Sequence, residues 1–158
     1  MPPAQSKKEA ILEHLRMSVF PSIIAGDRYN LTVKTVERGR RNPQDLGNED
    51  FPALFIVSTA EKTENIQQVE YESLMTVILI GYVRSKKTSP GSAMTGAQVE
   101  SGKFQQDVRN ALELDPLLGD RVKWLEITET TTDDGDIVPH AGFVMSARME
   151  FVDWRSLP

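Results

Sequence analysis

The sequence predicts an α+β fold: a mainly antiparallel sheet in the order α-β-β-β-α-β-β, with the helices packed on one face. Three observations predict it. Apolar residues recur at helical spacing around Leu12 and again around Val108. β-branched and aromatic residues gather in five other segments bounded by turn-forming residues. No internal repeat interrupts the 158 residues, which are most simply one domain, 1–158.

Ser6-Lys7-Lys8-Glu9 has the spacing of a capping box, in which Ser6 accepts from the Glu9 backbone and Glu9 reaches back. Behind it Leu12, Leu15 and Val19 fall at i, i+3 and i+7, with Ile11 widening the stripe and His14 on the polar side. Pro21 biases Phe20 away from helical geometry, so this helix ends near there. Tyr29–Glu37 (YNLTVKTVE) alternates through Leu31 and Val33 and reads as a strand. Arg38–Asp50, with two Gly, one Pro and mostly polar residues, reads as a mobile loop. Ala53–Thr59 is a short buried strand, and Glu61–Ile66 a polar connection.

Gln68–Arg84 (QVEYESLMTVILIGYVR) then reads as one strand. It is roughly 17 residues long, where about 5–6 is usual. At ~3.3 Å per residue it spans about 56 Å, more than the ~40 Å diameter of a compact domain of this length. Either it bends, with Gly81 the place for it, or one end projects and pairs with another molecule. Ser85–Gly102 reads as a second mobile loop whose end begins a helix, since Thr95 and Gln98 repeat the capping-box spacing. Phe104, Val108, Ala111 and Leu112 form the helical stripe, stopped by Asp115-Pro116. Val122–Thr132 and Phe143–Trp154 form an antiparallel hairpin, with Asp133–Asp136 supplying turn chemistry.

Composition narrows the function. The chain has no cysteine, which leaves no thiol chemistry and fits a reducing compartment. Leu74–Val83 is too short to span a membrane, and MPPAQSKKEA lacks the apolar core of a signal peptide. A formal charge of −5 argues against general nucleic-acid binding.

Motifs that carry chemistry are scarce. Gly96 and Gly102-Lys103 miss the phosphate-loop spacing, and Phe104 stands where Ser or Thr is needed. Asp133, Asp134 and Asp136 lack the remaining ligands of a calcium loop. His14 and His140 have no cysteine or second histidine beside them for zinc. Glu70 and Glu72 share one face of one strand, whereas paired-carboxylate hydrolases draw their acids from separated elements across a cleft. They read as a solvent-facing or interface-facing edge. The expectation is therefore a protein without catalytic residues, cofactor or metal.

Charge is more informative. Lys34, Arg38, Arg40 and Arg41 cluster against Glu37 alone, while Asp120–Asp136 holds six acids against Arg121 and Lys123. Opposite patches on one molecule suit head-to-tail contacts that close into rings. Arg38, Arg40 and Arg41, with Glu70 and Glu72, are the expected contact residues.

The chain resembles the tail terminator (tail-completion, minor tail) proteins of long-tailed bacteriophages. The likeness is carried by Val36-Glu37-Arg38-Gly39, Pro52-Ala53-Leu54, Gly81-Tyr82-Val83, Asp107-Val108, Ala111-Leu112, Asp115 and Leu118-Gly119. It implies a virion protein forming a homo-hexameric ring on the head-proximal end of the tail tube. Such a ring stops tube polymerisation, offers a surface to the head-neck connector and lets DNA pass through its lumen. It requires no membrane and is assembled in the host cytoplasm. Two other readings stay open: a neck or head-completion protein, and a small-ligand-binding or enzymatic domain with Ser85–Gly102 as a lid.

Overall fold

The structure, a computed structural model, describes residues 6–65, 70–84, 90–132 and 140–154. Its elements are α1 (Lys7–His14), β1 (Thr35–Arg38), β2 (Ala53–Asn65), β3 (Glu70–Arg84), α2 (Pro90–Leu114), β4 (Trp124–Thr132) and β5 (His140–Trp154). The five strands form one mixed, mostly antiparallel sheet in the order β1-β2-β3-β5-β4. Only β1 and β2 run parallel, Thr35 opposite Ala53 through Arg38 opposite Ile56.

Alternation divides the sheet into two faces. Met75, Val77 and Leu79 of β3, with Phe143, Met145, Ala147, Met149 and Phe151 of β5, join one buried cluster with Ile11, Leu12 and Leu15 and with Phe104, Val108 and Leu112 of α2. Ala53, Phe55 and Ile80 bury instead against Leu46 and Phe51, so the segment before β2 covers part of the opposite face.

α1 begins as the capping spacing requires: Ser6 Oγ accepts from Glu9 N–H at 3.2 Å. Past His14 the helix widens into a π turn, Leu15–Val19, and tightens into a 3₁₀ turn, Phe20–Ser22, that carries Pro21. A proline ring forbids the ordinary helical bond at its own nitrogen, which suits a change of helical type there.

Several expected boundaries move. The strand expected from Tyr29 begins only at Thr35. The backbone amides of Asn30 and Leu31 are taken by the Asp107 carboxylate at 2.8–3.0 Å and are diverted from any strand ladder. Ala25 N–H likewise goes to Thr32 Oγ1 at 2.9 Å. The segment between β1 and β2 holds two 3₁₀ turns, Pro43–Asp45 and Asn48–Asp50. Asn42 Oδ1 and Asp50 Oδ2 accept from the amides of Gln44 and Gly47, and Pro43 and Leu46 are buried.

β2 does not end at Thr59. It continues to Asn65, because β3 offers a partner ladder out to Tyr71 and Thr63 meets Ser73, Oγ1 to Oγ at 3.3 Å. A polar strand is stable when its backbone bonds are supplied by a neighbour. α2 starts at Pro90, well before Thr95, so much of the expected Ser85–Gly102 loop is helix. Proline is at home on the first helical turn, where its missing N–H costs nothing.

The largest correction concerns β3. It pairs with β2 from Tyr71 to Tyr82 and with β5 along its whole length, so neither edge is free for another molecule. Nor does it bend at Gly81, which stays in register between Leu54 and Phe143; the nearest bulge lies in β2, between Ser58 and Ala60. The length problem is solved differently: β2 and β5 are comparably long, 13 and 15 residues, and the sheet itself is elongated. Gly81 is glycine for packing. A Cβ there would lie 2.3 Å from Phe143 Cε1, whose ring stands edge-on to Phe104 with centroids 5.4 Å apart.

Candidate interaction surfaces

The expected contact residues fall into two separate places. Arg38 closes β1, at one edge of the sheet, and faces α1. Its guanidinium donates to both oxygens of Glu9, at 2.5 and 3.1 Å, and lies 3.5 Å from Glu13, which also holds Arg16 at 2.8 Å. The hydrogen bond from Arg38 holds the Glu9 carboxyl below its usual range, and the same contact raises Arg38. Arg38 is thus a strut between strand and helix. Arg41 is similarly held, by Glu37 at 3.0 Å. Arg40 is exposed and has no ion pair among the described residues, so with Lys34 it carries the net positive charge of this edge.

Glu72 lies on the long antiparallel part of the sheet. Lys123 Nζ sits 3.5 Å from Glu72 and 3.5 Å from Glu150, and Glu150 also accepts from Trp124 Nε1 at 3.1 Å. The side chain of Glu70 lies outside the described residues. Glu72 is therefore part of a cross-strand charge cluster, two strands away from β1, and the structure does not bring it together with the arginines.

At the opposite edge, β4 exposes Glu126, Glu129 and four of its threonines wholly or in part. Asp120 adds an exposed charge just before it, and Asp133, Asp134 and Asp136 lie outside the described residues. Past Ile56, no described strand pairs with the outer side of β2. Both open edges are broken by a bulge, at Thr59 in β2 and at Thr128 in β4. Bulges and edge charges blunt indiscriminate strand pairing.

A third surface was not foreseen. The π turn, the segment from Ser22 to Tyr29 and the end of α2 enclose an open groove of about 530 Å³. On one wall His14 Nε2 meets Asp115 Oδ2 at 3.1 Å, and Asp115 Oδ1 accepts from Gly119 N–H at 2.9 Å. Partial burial raises the Asp115 carboxyl, but those two hydrogen bonds and the charges of His14 and Arg121 outweigh it and leave it below its ordinary value. Leu118, Gly119 and Asp120 beside it all have positive φ, 48°, 63° and 62°. The sequence signal for this groove was thin: His14 looked solvated, and Asp115 looked like a helix stop.

Among the described residues, no group of His, Asp or Glu is placed to hold a metal ion, and no helix is long and apolar enough to cross a membrane. Comparison of the chain with protein-family models and with curated proteins finds no match.

Proposed function

We propose that the chain is a structural subunit of a ring that caps the head-proximal end of a phage tail tube, stops its polymerisation and presents a surface to the head-neck connector. The observation that carries this reading is the pair of sheet edges with opposite charge. β1, with Lys34 and Arg40 beside it, and β4, with Glu126 and Glu129, are the outermost strands of one sheet. Four strand spacings, about 19 Å, separate them. Surfaces that differ on the two sides of a subunit make heterologous contacts, and a rotation between subunits closes them into a ring. Because β3 is covered on both edges, the contact does not come from an overhanging central strand. Because β1 is only 4 residues long and the open edges of β2 and β4 are bulged, complementary charge is the selecting force rather than extension of the sheet. The resemblance to tail terminators supplies the tube, connector and DNA passage as partners of the ring.

Light scattering tests assembly: the reading expects a mass near six times 17.7 kDa, alone or on tail tubes. Lys34→Glu with Arg40→Glu should abolish the ring, and adding Glu126→Lys with Glu129→Lys should restore it. A phage lacking the protein should build tails of abnormal length. Normal tails in that phage, or charge reversals that leave the mass unchanged, would sink the proposal.

A further inference from the structure

The groove at the ends of the two helices carries an inference that is independent of the ring. Six large apolar side chains are exposed among the described residues, and four of them, Met17, Ile24, Leu114 and Leu117, come from the three segments that frame this groove or the turn beside it. Ile24 and Leu114 line it directly, with 62% and 55% of their surface open. Scattered apolar residues need no explanation, but a cluster around a concavity marks a contact site. The groove is also held open. Asp107, fully buried, grips the amides of Asn30 and Leu31 and the Asn30 side chain, pinning the loop to α2. Gly26 N–H to Tyr29 O at 3.0 Å and Ala25 N–H to Thr32 keep Ile24 turned outward, so the wall cannot collapse onto its own apolar rim.

Charge identifies the occupant. The last turn of α2 has no basic residue to meet the negative end of its dipole. Asp115 is already taken by His14 and Gly119, but Glu113 stands exposed in that turn and Asp27 lies on the facing wall, two carboxylates against the nearby Arg28. Carboxylates beside a helix C-terminus attract a cation. We infer that this groove docks an apolar segment of a partner protein that carries Lys or Arg beside its anchoring side chains. The anchors lie between Ile24 and Leu114, and the basic groups reach Asp27 and Glu113.

The test is resonance mapping on isotope-labelled protein with two synthetic amphipathic helices, one of Leu and Lys, the other of Leu and Glu. The Leu/Lys helix should shift Ile24, Tyr29, Ala111 and Leu114, and the Leu/Glu helix should bind at least about tenfold more weakly. Ile24→Ser with Leu114→Ser removes two half-exposed anchors without touching the core or the charges, and should weaken the Leu/Lys helix by about tenfold or more. Equal binding of the two helices overturns the charge argument. Binding that survives the double serine variant is general attraction of a basic peptide to an acidic protein and overturns the site. Shifts confined to the uncovered face of the sheet do the same. Groove resonances that move with protein concentration alone would make a second copy the occupant, and would also overturn it.

Discussion

Gly81→Ala separates two roles for a glycine in the middle of the longest strand. If the residue served as a bend, a methyl group would be tolerated, since its backbone is extended and paired on both sides. The packing says otherwise. The new Cβ would stand 2.3 and 2.5 Å from Cε1 and Cζ of Phe143 and 3.0 Å from Cε1 of Phe104. Ordinary contact begins at 3.4 Å, so the Phe143 ring must retreat by roughly 1 Å. It has little room to do so: Phe143 is 2% exposed and Phe104 fully buried, each in edge contact with the other. Overpacking of a rigid core costs about 1–3 kcal/mol, and two buried rings with no flexible end place this site in the upper half. For a chain of this size that is a fall in Tm of roughly 4–12 °C. Urea unfolding of the wild type, Gly81→Ala, Phe143→Leu and the double variant measures it. Phe143→Leu should be destabilising alone yet should recover part of the loss in Gly81→Ala, with a coupling of about 1–2 kcal/mol. A change below about 0.5 kcal/mol in Gly81→Ala, or strict additivity in the double variant, would refute the packing account.

Asp107→Ala removes the buried carboxylate that holds three donors, the amides of Asn30 and Leu31 and the Asn30 side chain; because Asn30 is exposed and Leu31 half-buried, water replaces part of the loss, and the cost in urea unfolding should be about 1.5–3 kcal/mol. Faster amide exchange at Asn30 and Leu31 should accompany it. Gly102→Ala is the converse of the Gly81 case: the position is helical with nothing within 4 Å of a new Cβ, so stability should rise by about 0.5–1 kcal/mol. His140 is buried against Phe51, its Nδ1 unpartnered among the described residues; burial first, and the Arg84 charge second, lower its pKa. The unfolded chain therefore binds the proton more readily, and stability should decline as pH falls through the ordinary histidine range near 6.5. His140→Phe should flatten that slope between about pH 7 and 5 in a series of thermal melts.

What could be read from the chain was what a single segment decides alone. The Ser6 cap, the stripe through Leu12 and Leu15 and the stripe through Phe104, Val108 and Leu112 are local periodicities, and they survive because burial follows them. The charge clusters on Lys34–Arg41 and Asp120–Asp136 were equally visible. Their strength was not: Glu9 and Glu13, from α1, neutralise Arg38, and only folding brings those residues together. The same reason explains each displaced boundary. Residues 61–65 of β2 are polar and become strand because β3 supplies their hydrogen bonds, while Tyr29–Lys34 look like strand and lie outside β1, because Asp107 takes the amides of Asn30 and Leu31 and that of Val33 goes to Ile23 O. Gly81 is set by Phe143, 62 positions later, and the groove by a His14–Asp115 contact across 101 positions. Pattern in sequence reports which side of an element is apolar; it cannot report which distant group satisfies a backbone amide, fills a missing side chain or cancels a charge. Those choices belong to tertiary structure, and they place the free edges and the open groove on which function turns.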